Sequence, residues 1–365
     1  MNSDAKESGA LDDMRVRLDP LMSIVREGPD ACFIMASERE LFRLKGRTVP
    51  VLLEHVMPLL DGHRTVRELR AALADRLHAK AVDQLIRLLL SNRVVHDTTR
   101  LQALGPEEIE EFRGLCNLMA RCTDKPYVAL ERLRTARVAV VGCASLAVPV
   151  VQSLGECAIG IIDVVAEPDT LPLPVLPLSQ LRRWNPGQLA DAITGADLVL
   201  GLQDGDLSSI GVLTELNQLS LAHGLTWLHL RLTLDAEGWL GPLHVPGGAC
   251  YQCLNLRLTS NLKTWRERAV AQHQVAQRHL EPKRLGFGPL GAQLAGAAAL
   301  EVIKYLTWIQ LTQLASRCYL FDFLNHEISL HTVLRHPNCP ACHLDRERQL
   351  ATWSEDQVQL ERMLL

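Results

Sequence analysis

The chain has 365 residues, 47% hydrophobic and 22% charged, an ordinary globular composition with length for two or three domains. Basic and acidic residues nearly cancel, 38 against 42, and aromatics are only 4%, so no whole-protein field or stacking surface for nucleic acid is indicated. No apolar run of about 18 residues offers a membrane span. The polar start MNSDAKESGALDD lacks the apolar stretch of a signal peptide, so the ten cysteines read as reduced thiols or metal ligands of a cytoplasmic protein.

Residues 1–14 read as a disordered tail. A first domain is expected over 15–97. Its short strands are MSIVRE, ACFIMAS and ELFRL, with turns at Gly28-Pro29-Asp30 and at Glu38-Arg39-Glu40. Then the period lengthens. Val49, Leu52, Leu53, Val56 and Leu59 recur at helical spacing until Asp61-Gly62. Thr65 can cap a second helix, with Glu68 three residues on as in a capping box. A third helix carries Val82, Leu85, Ile86 and Leu89 on one face, and VVHD follows as a strand. Strands followed by helices on this scale predict an α+β, winged-helix-like domain.

Residues 98–133 predict a helical connector, with Pro106 and acidic residues near its start. From 134 to 350 the pattern is α/β and Rossmann-like. ARVAVVGC, IGIIDVV, ADLVLGL and LTWLHLRL are near-continuous apolar strands, as expected when both sheet faces are covered. WLGPLHV predicts an antiparallel addition, CYLFDFLN and ISLHTVL closing strands, and GAQLAGAAALEVIKYL a small-residue helix packed close to the sheet. Residues 351–365 predict a C-terminal helix.

Cys250-Tyr-Gln-Cys253 and Cys339-Pro-Ala-Cys342 form two C-x2-C knuckles, 85 residues apart. Four thiolates from two distant segments suit tetrahedral zinc, and a closed four-sulfur set leaves no place for substrate, so the expected role is structural. The alternative is a set of reduced surface thiols or a redox pair. The other six cysteines stand singly, mainly in apolar runs, and read as core packing.

A dinucleotide loop needs G-x-G-x-x-G after its first strand so that the backbone can approach phosphate. This chain has Gly142-Cys143-Ala144-Ser145-Leu146-Ala147, with only the first glycine kept. The fold signal is good and the nucleotide signal poor.

Gly142 to Asp163, ADLVLGLQDGD, GPLHVPGGACYQC, GPLGAQLAGAAALEVIKYLT and HPNCPAC, in this order, resemble the adenylyltransferases that activate ubiquitin-like proteins, with their thiamine and molybdopterin relatives. The resemblance implies a ribose-binding role for Asp163, a magnesium-binding role for Asp204, and a homodimer. The polar-amphipathic insertion over 262–285 would serve that dimer or the docking of a partner. The family's Asn-Arg-Gln segment is replaced by Glu167-Pro168-Asp169-Thr170-Leu171, Gly205 stands for the expected Asn, and no arginine for the triphosphate can be placed. Gly142, Asp163 and Asp204 therefore read as vestiges, and ATP is not expected on this chain.

The segment from PDACFIMASERELFRLKG through LLDGHRTVRELRAAL to VDQLIRLLLSNRVVHD resembles the leader-peptide recognition element of ribosomal peptide biosynthesis. Placed before an activating-enzyme-like domain, it resembles the leader-peptide-binding partner protein of azole and azoline (thiazole/oxazole) peptide pathways. That resemblance implies a precursor leader peptide and a separate, ATP-holding YcaO-type cyclodehydratase as partners, with azolines formed from Cys, Ser or Thr. The residues agree with it. Leu41, Phe42, Arg43, Leu44 and Lys45 would lie on an edge strand able to accept a peptide. Leu85, Leu88 and Leu89 would wall an apolar groove. Four basic residues against one acid over 39–47 would favour an acidic leader. The competing readings are an active ATP-dependent adenylyltransferase and a winged-helix DNA-binding regulator. The latter needs a basic recognition helix, but this one carries only Arg87 against Asp83.

Overall fold

The computed structural model describes residues 11–19, 21–37, 40–99, 108, 111–123, 125–167 and 172–342. The chain divides into two compact units, Met1–Arg132 and Leu133–Leu365.

The first unit contains two three-stranded antiparallel sheets. One has the order β2 (Ser23–Gly28), β3 (Ala31–Ser37), β4 (Glu40–Lys45), and these are the three strands that the alternation and turns predict. The other sets β1 (Arg15–Leu18) between β5 (Asp61–Thr65) and β6 (Val95–Asp97). Sequence pattern does not reveal β1 and β5, because RVRL and DGHRT carry too few apolar residues to announce a strand. The first helix, α1 (49–59), runs continuously through α, π and 3-10 geometry.

Helix α2 (Val66–Ala72) starts as predicted. Thr65 Oγ1 accepts from the Glu68 N–H at 3.2 Å, and the Glu68 carboxylate accepts from the Thr65 N–H at 2.8 Å. Helix α3 (Ala79–Ser91) buries Val82, Ile86 and Leu89 in a core shared with Val16, Ile34 and Leu69. The expected tail over 1–14 is shorter than the sequence suggested. Leu11 is buried in this core and Asp12 pairs with Arg70 at 2.5 Å, while 1–10 lie outside the described residues.

Two helices of the expected connector follow, α4 (Arg113–Cys122) and α5 (Pro126–Thr135). Arg121 of α4 reaches the buried carboxylate of Asp19 at 2.5 Å, so the connector is built into the first unit. Asp19 also takes the Leu21 N–H at 2.8 Å and lies 3.2 Å from His96 Nε2. Burial alone would raise its pKa, but the bonds from His96, Leu21 and Arg121 outweigh that and hold it low.

The second unit is an α/β domain on an eight-stranded mixed sheet. Its order is β14-β13-β12-β11-β10-β7-β8-β9, made from β7 (Arg137–Cys143), β8 (Ile161–Glu167), β9 (Gln180–Trp184), β10 (Leu198–Asp204), β11 (Trp227–Leu232), β12 (Glu237–His244), β13 (Arg317–Asp322) and β14 (Glu327–Thr332). The run β9-β8-β7-β10-β11 is parallel, and β12 to β14 continue it antiparallel. The helices are α6 (Ala144–Glu156), α7 (Leu189–Ile193), α8 (Ile210–His223), α9 (Tyr251–Ser260), α10 (Trp265–Ala276) and α11 (Gly288–Thr307).

Helix α11 buries Gly291, Leu294, Ala295, Ala298, Ala299 and Val302, the spacing of one helical stripe. Gly291 lets it close on α6, since a Cβ there would lie 3.2 Å from Leu146. The predicted C-terminal helix over 351–365 lies outside the described residues. Among those described, no helix is long and apolar enough to cross a membrane.

Candidate functional site

Chain order reverses between β7 and β10, the place where an open parallel sheet splays its strand ends into a crevice. A cavity of about 720 Å3 lies there, lined by Gly142, Cys143, Val165, Ala166, Ser209 and Arg284 among others. Gly142 is kept for strand packing. Its φ is +121°, and a Cβ would sit 2.3 Å from the carbonyl oxygen of Leu202. The surviving glycine thus serves the β7–β10 contact whether or not phosphate is ever bound.

The two acids that the resemblance singled out are both engaged. Asp163 does not reach the crevice. It is the third residue of β8, fully buried, and takes Arg137 Nε at 2.6 Å, Arg182 Nη2 at 2.7 Å and Trp184 Nε1 at 2.6 Å. Asp163, read above as a vestige, here joins β7, β8 and β9 through Arg137, Arg182 and Trp184. From β8 the crevice is lined by Val165 and Ala166, with 168–171 outside the described residues. Asp204 ends β10 where expected, but its carboxylate accepts from Ser145 Oγ at 2.5 Å and from the Leu285 and Gly286 N–H groups at 2.9 and 3.0 Å. The strap after α10 is thereby fastened to the strand end. Gly205 makes this possible, because a Cβ there would lie 2.0 Å from the Lys283 carbonyl oxygen. That close approach is the physical reason for glycine where the family has asparagine.

Two crevice residues are not singled out by the sequence pattern. Arg278 and Arg284 line the crevice from the segment behind α10, so arginine is present at its mouth after all. The signal lies in the polar insertion 262–285, whose basic residues read equally well as a docking or dimer surface.

The four knuckle cysteines converge as their spacing predicts. Their sulfurs lie within 4.8 Å of one another, and Cys250–Cys253, Cys250–Cys339 and Cys253–Cys342 are 3.7, 3.6 and 3.5 Å apart. Tetrahedral sulfurs about 2.3 Å from one zinc would stand about 3.8 Å apart, so the set fits such an ion. All four are buried, in a small cluster with Cys318, Leu254 and Val333. The Cys253 thiol is drawn to lower pKa, chiefly by the hydrogen bond from Cys250, and Cys250 is pushed up by the same contact. The His336 N–H donates to Cys253 Sγ at 3.3 Å, a contact that favours a thiolate.

In the first unit, among the described residues, β4 pairs only with β3, and its other edge is the outer edge of the sheet. Phe42 and Leu44 turn toward the core, while Arg43 and Lys45 are exposed. The side chain of Leu41 lies outside the described residues. Arg43 is less available than expected, since Glu27 takes both Nε and Nη2 at 2.9 and 2.6 Å. On α3 the three proposed groove residues separate. Leu88 is 49% exposed, Leu85 is half-buried against the core, and Leu89 is a core residue at 2%. Leu89 is thus corrected from groove to core, because the helical period turns it inward with Val82 and Ile86.

Residues 179–341 match the ThiF family, so the second unit carries a ThiF-type α/β domain. The matched segment begins after β7 and β8, leaving out the loop whose later glycines are missing. No curated protein matches the sequence. Among solved structures the chain is similar to the heterocyclase TruD, with 20% identity and a TM-score of 0.62 over 90% of this chain and 43% of that one. A heterocyclase in complex with substrate and cofactor gives 18% and 0.60, over 90% and 39%. MccB of E. coli, with AMPCPP and MccA, gives 14% and 0.56, over 90% and 99%. The chain thus spans less than half the length of either heterocyclase, and these likenesses concern the fold.

Proposed function

We propose that the first unit is a winged-helix-like recognition element that binds the leader of a ribosomally made precursor peptide, and that the chain presents the attached core to a separate YcaO-type cyclodehydratase. The observation that carries this reading is the open edge of β4, in a unit where α3 leaves Leu88 exposed. An extended peptide can add to such an edge through main-chain bonds, and alternate side chains can then meet apolar neighbours. The likeness to heterocyclases supports it. On this reading the chain itself is non-catalytic, and the four thiolates hold one structural zinc.

The test is titration of a labelled precursor peptide encoded beside the chain's gene. Leu88→Asp should weaken binding by about 1–3 kcal/mol, the scale of a lost apolar contact plus a desolvated charge. The circular dichroism spectrum should stay native, because Leu88 is exposed. Equal affinity of both proteins would move the site elsewhere. Glu27 already holds Arg43, so the salt dependence of binding should be shallow and carried mainly by Lys45.

A second reading is favoured by one observation, the arginines Arg278 and Arg284 at the crevice. It makes the chain an ATP-dependent adenylyltransferase, with MccB, solved with ATP, as a likeness in fold. Peptide-dependent pyrophosphate exchange separates the two. None is expected, since Asp204 is occupied by the strap and Asp163 by Arg137 and Arg182. Clear exchange would establish the second reading. The family resemblance also leads us to propose a homodimer, which light scattering would show as twice the chain mass.

A further inference from the structure

Strand β11 sends Trp227, His229 and Arg231 to one face, as alternate residues of a strand must. The row begins in the core, where Trp227 is fully buried and His229 packs edge-on to Tyr251 with ring centroids 5.4 Å apart. It ends at Arg231, whose side chain is 9% exposed and which lines a second cavity of about 490 Å3. Leu207 also lines the crevice at the β7–β10 switch, and Trp239 and Leu258 also pack on the cysteine cluster, but the charged lining from Arg231, Asp235, Glu237, Glu267 and Arg268 belongs to neither.

Its lining divides by depth and by charge. Arg231 is buried and Trp239 and Arg268 are half-buried, whereas Asp235 and Glu267 are exposed, with Glu237 between. The inner groups are hydrogen-bond donors gathered around Asp206, which also lines the cavity. Arg231 Nη2 donates to Asp206 Oδ1 at 2.6 Å, and Arg268 Nη2 to the Asp206 carbonyl oxygen at 3.3 Å. Arg231 Nε, Arg268 Nε and Trp239 Nε1 are buried with no partner among the described residues. Buried donors are nearly always satisfied in folded proteins, and these three belong to residues that line the cavity, so the set points to an acceptor held beside them. Asp206 thus takes both guanidiniums, Arg231 on its carboxylate and Arg268 on its main-chain carbonyl. Burial, and then the nearby charge of Arg231, lowers the pKa of Arg268.

We propose that this cavity binds a zwitterion of the α-amino-acid kind, its carboxylate against Arg231, Arg268 and Trp239 and its ammonium toward Asp235, Glu237 and Glu267. The acids near the opening disfavour a multiply charged anion such as phosphate. A simple cation would leave the inner donors unanswered. The proposal does not depend on the leader-peptide reading, which concerns the other unit.

Calorimetry and thermal unfolding of the whole chain test it, with L-alanine, tri-L-alanine, propionate and ethylamine as probes. At least one zwitterion should bind saturably, about tenfold or more tighter than either half-ligand, as two complementary charged ends require. The tighter of the two tells whether a free amino acid or a short peptide is the source. Arg268→Gln should weaken that binding about tenfold, on the scale of one charged hydrogen bond. Trp239→Phe keeps an aromatic ring while losing the indole N–H and part of the ring's bulk, and should weaken it less, guarding against loss of fold in the first variant. Glu267→Gln should affect the zwitterion and spare propionate. Propionate binding as tightly as L-alanine would overturn the proposal in favour of a simple anion site. Binding of no probe would show that the donors are merely hydrated.

Discussion

Cys339→Ala is expected to leave the purified protein without stoichiometric zinc and to abolish cooperative unfolding of its second unit. Three sulfurs would remain around a position built for four, inside a cluster where Cys250, Cys253 and Cys342 are all buried. Apparent binding free energies of structural zinc are about 10–16 kcal/mol in small peptides, whereas whole domains are stable by only about 5–15 kcal/mol. Even a fraction of that contribution decides whether the segment around β13, β14 and the second knuckle stays docked. Metal analysis together with calorimetric unfolding checks this. Unchanged zinc in the variant, or no zinc in the wild type, would leave the cluster as reduced thiols.

Asp163→Ala should cost about 3–5 kcal/mol, the range for removing one partner of a buried ion pair. For a unit of this size that is a fall of roughly 6–20 °C in melting temperature. The carboxylate is the common acceptor for Arg137, Arg182 and Trp184, and its loss strands three donors at once. Arg137 keeps the carbonyls of Ala192 and Thr194, which sets the cost toward the lower end. A residue kept for ribose would behave differently, leaving melting unchanged.

The same site gives a pH signature. Burial alone would raise the pKa of Asp163, but the bonds from Arg182, Arg137 and Trp184 outweigh it and hold the pKa below the ordinary 3.8. A depressed folded-state pKa contributes stability that is present above the unfolded value and lost as pH falls through the folded one. The wild type should therefore lose stability below about pH 4, more steeply than Asp163→Asn, whose side chain cannot titrate. Urea midpoints across that window measure the difference.

The strong periodicities are legible in the residues themselves. The apolar strands β7, β8, β10 and β11, the cap at Thr65 and the cysteine quartet follow from spacing alone. Strand β9 does not, because QLRRW carries two arginines. Arg182 is there for Asp163, a reason that only the β8–β9 register discloses. Asp163, read as a vestige, hides its structural role for a related cause. An acid in an apolar strand looks functional until its partners are seen, and they lie 26, 19 and 21 residues away in sequence. Leu88 and Leu89 illustrate a smaller limit. Adjacent helical residues differ by about 100° in direction, enough to place one in solvent and the next in the core.

The bond from Arg121 to Asp19 fixes how far the first unit must extend if it is to be used alone. A fragment ended at Asp97, where the last strand closes, would keep a fully buried carboxylate and discard its guanidinium partner. Such a fragment should be less stable and should fray at β1, where the strand ends beside Asp19. One carried through to Arg132 retains α4 and the pair, and should fold as the more stable module.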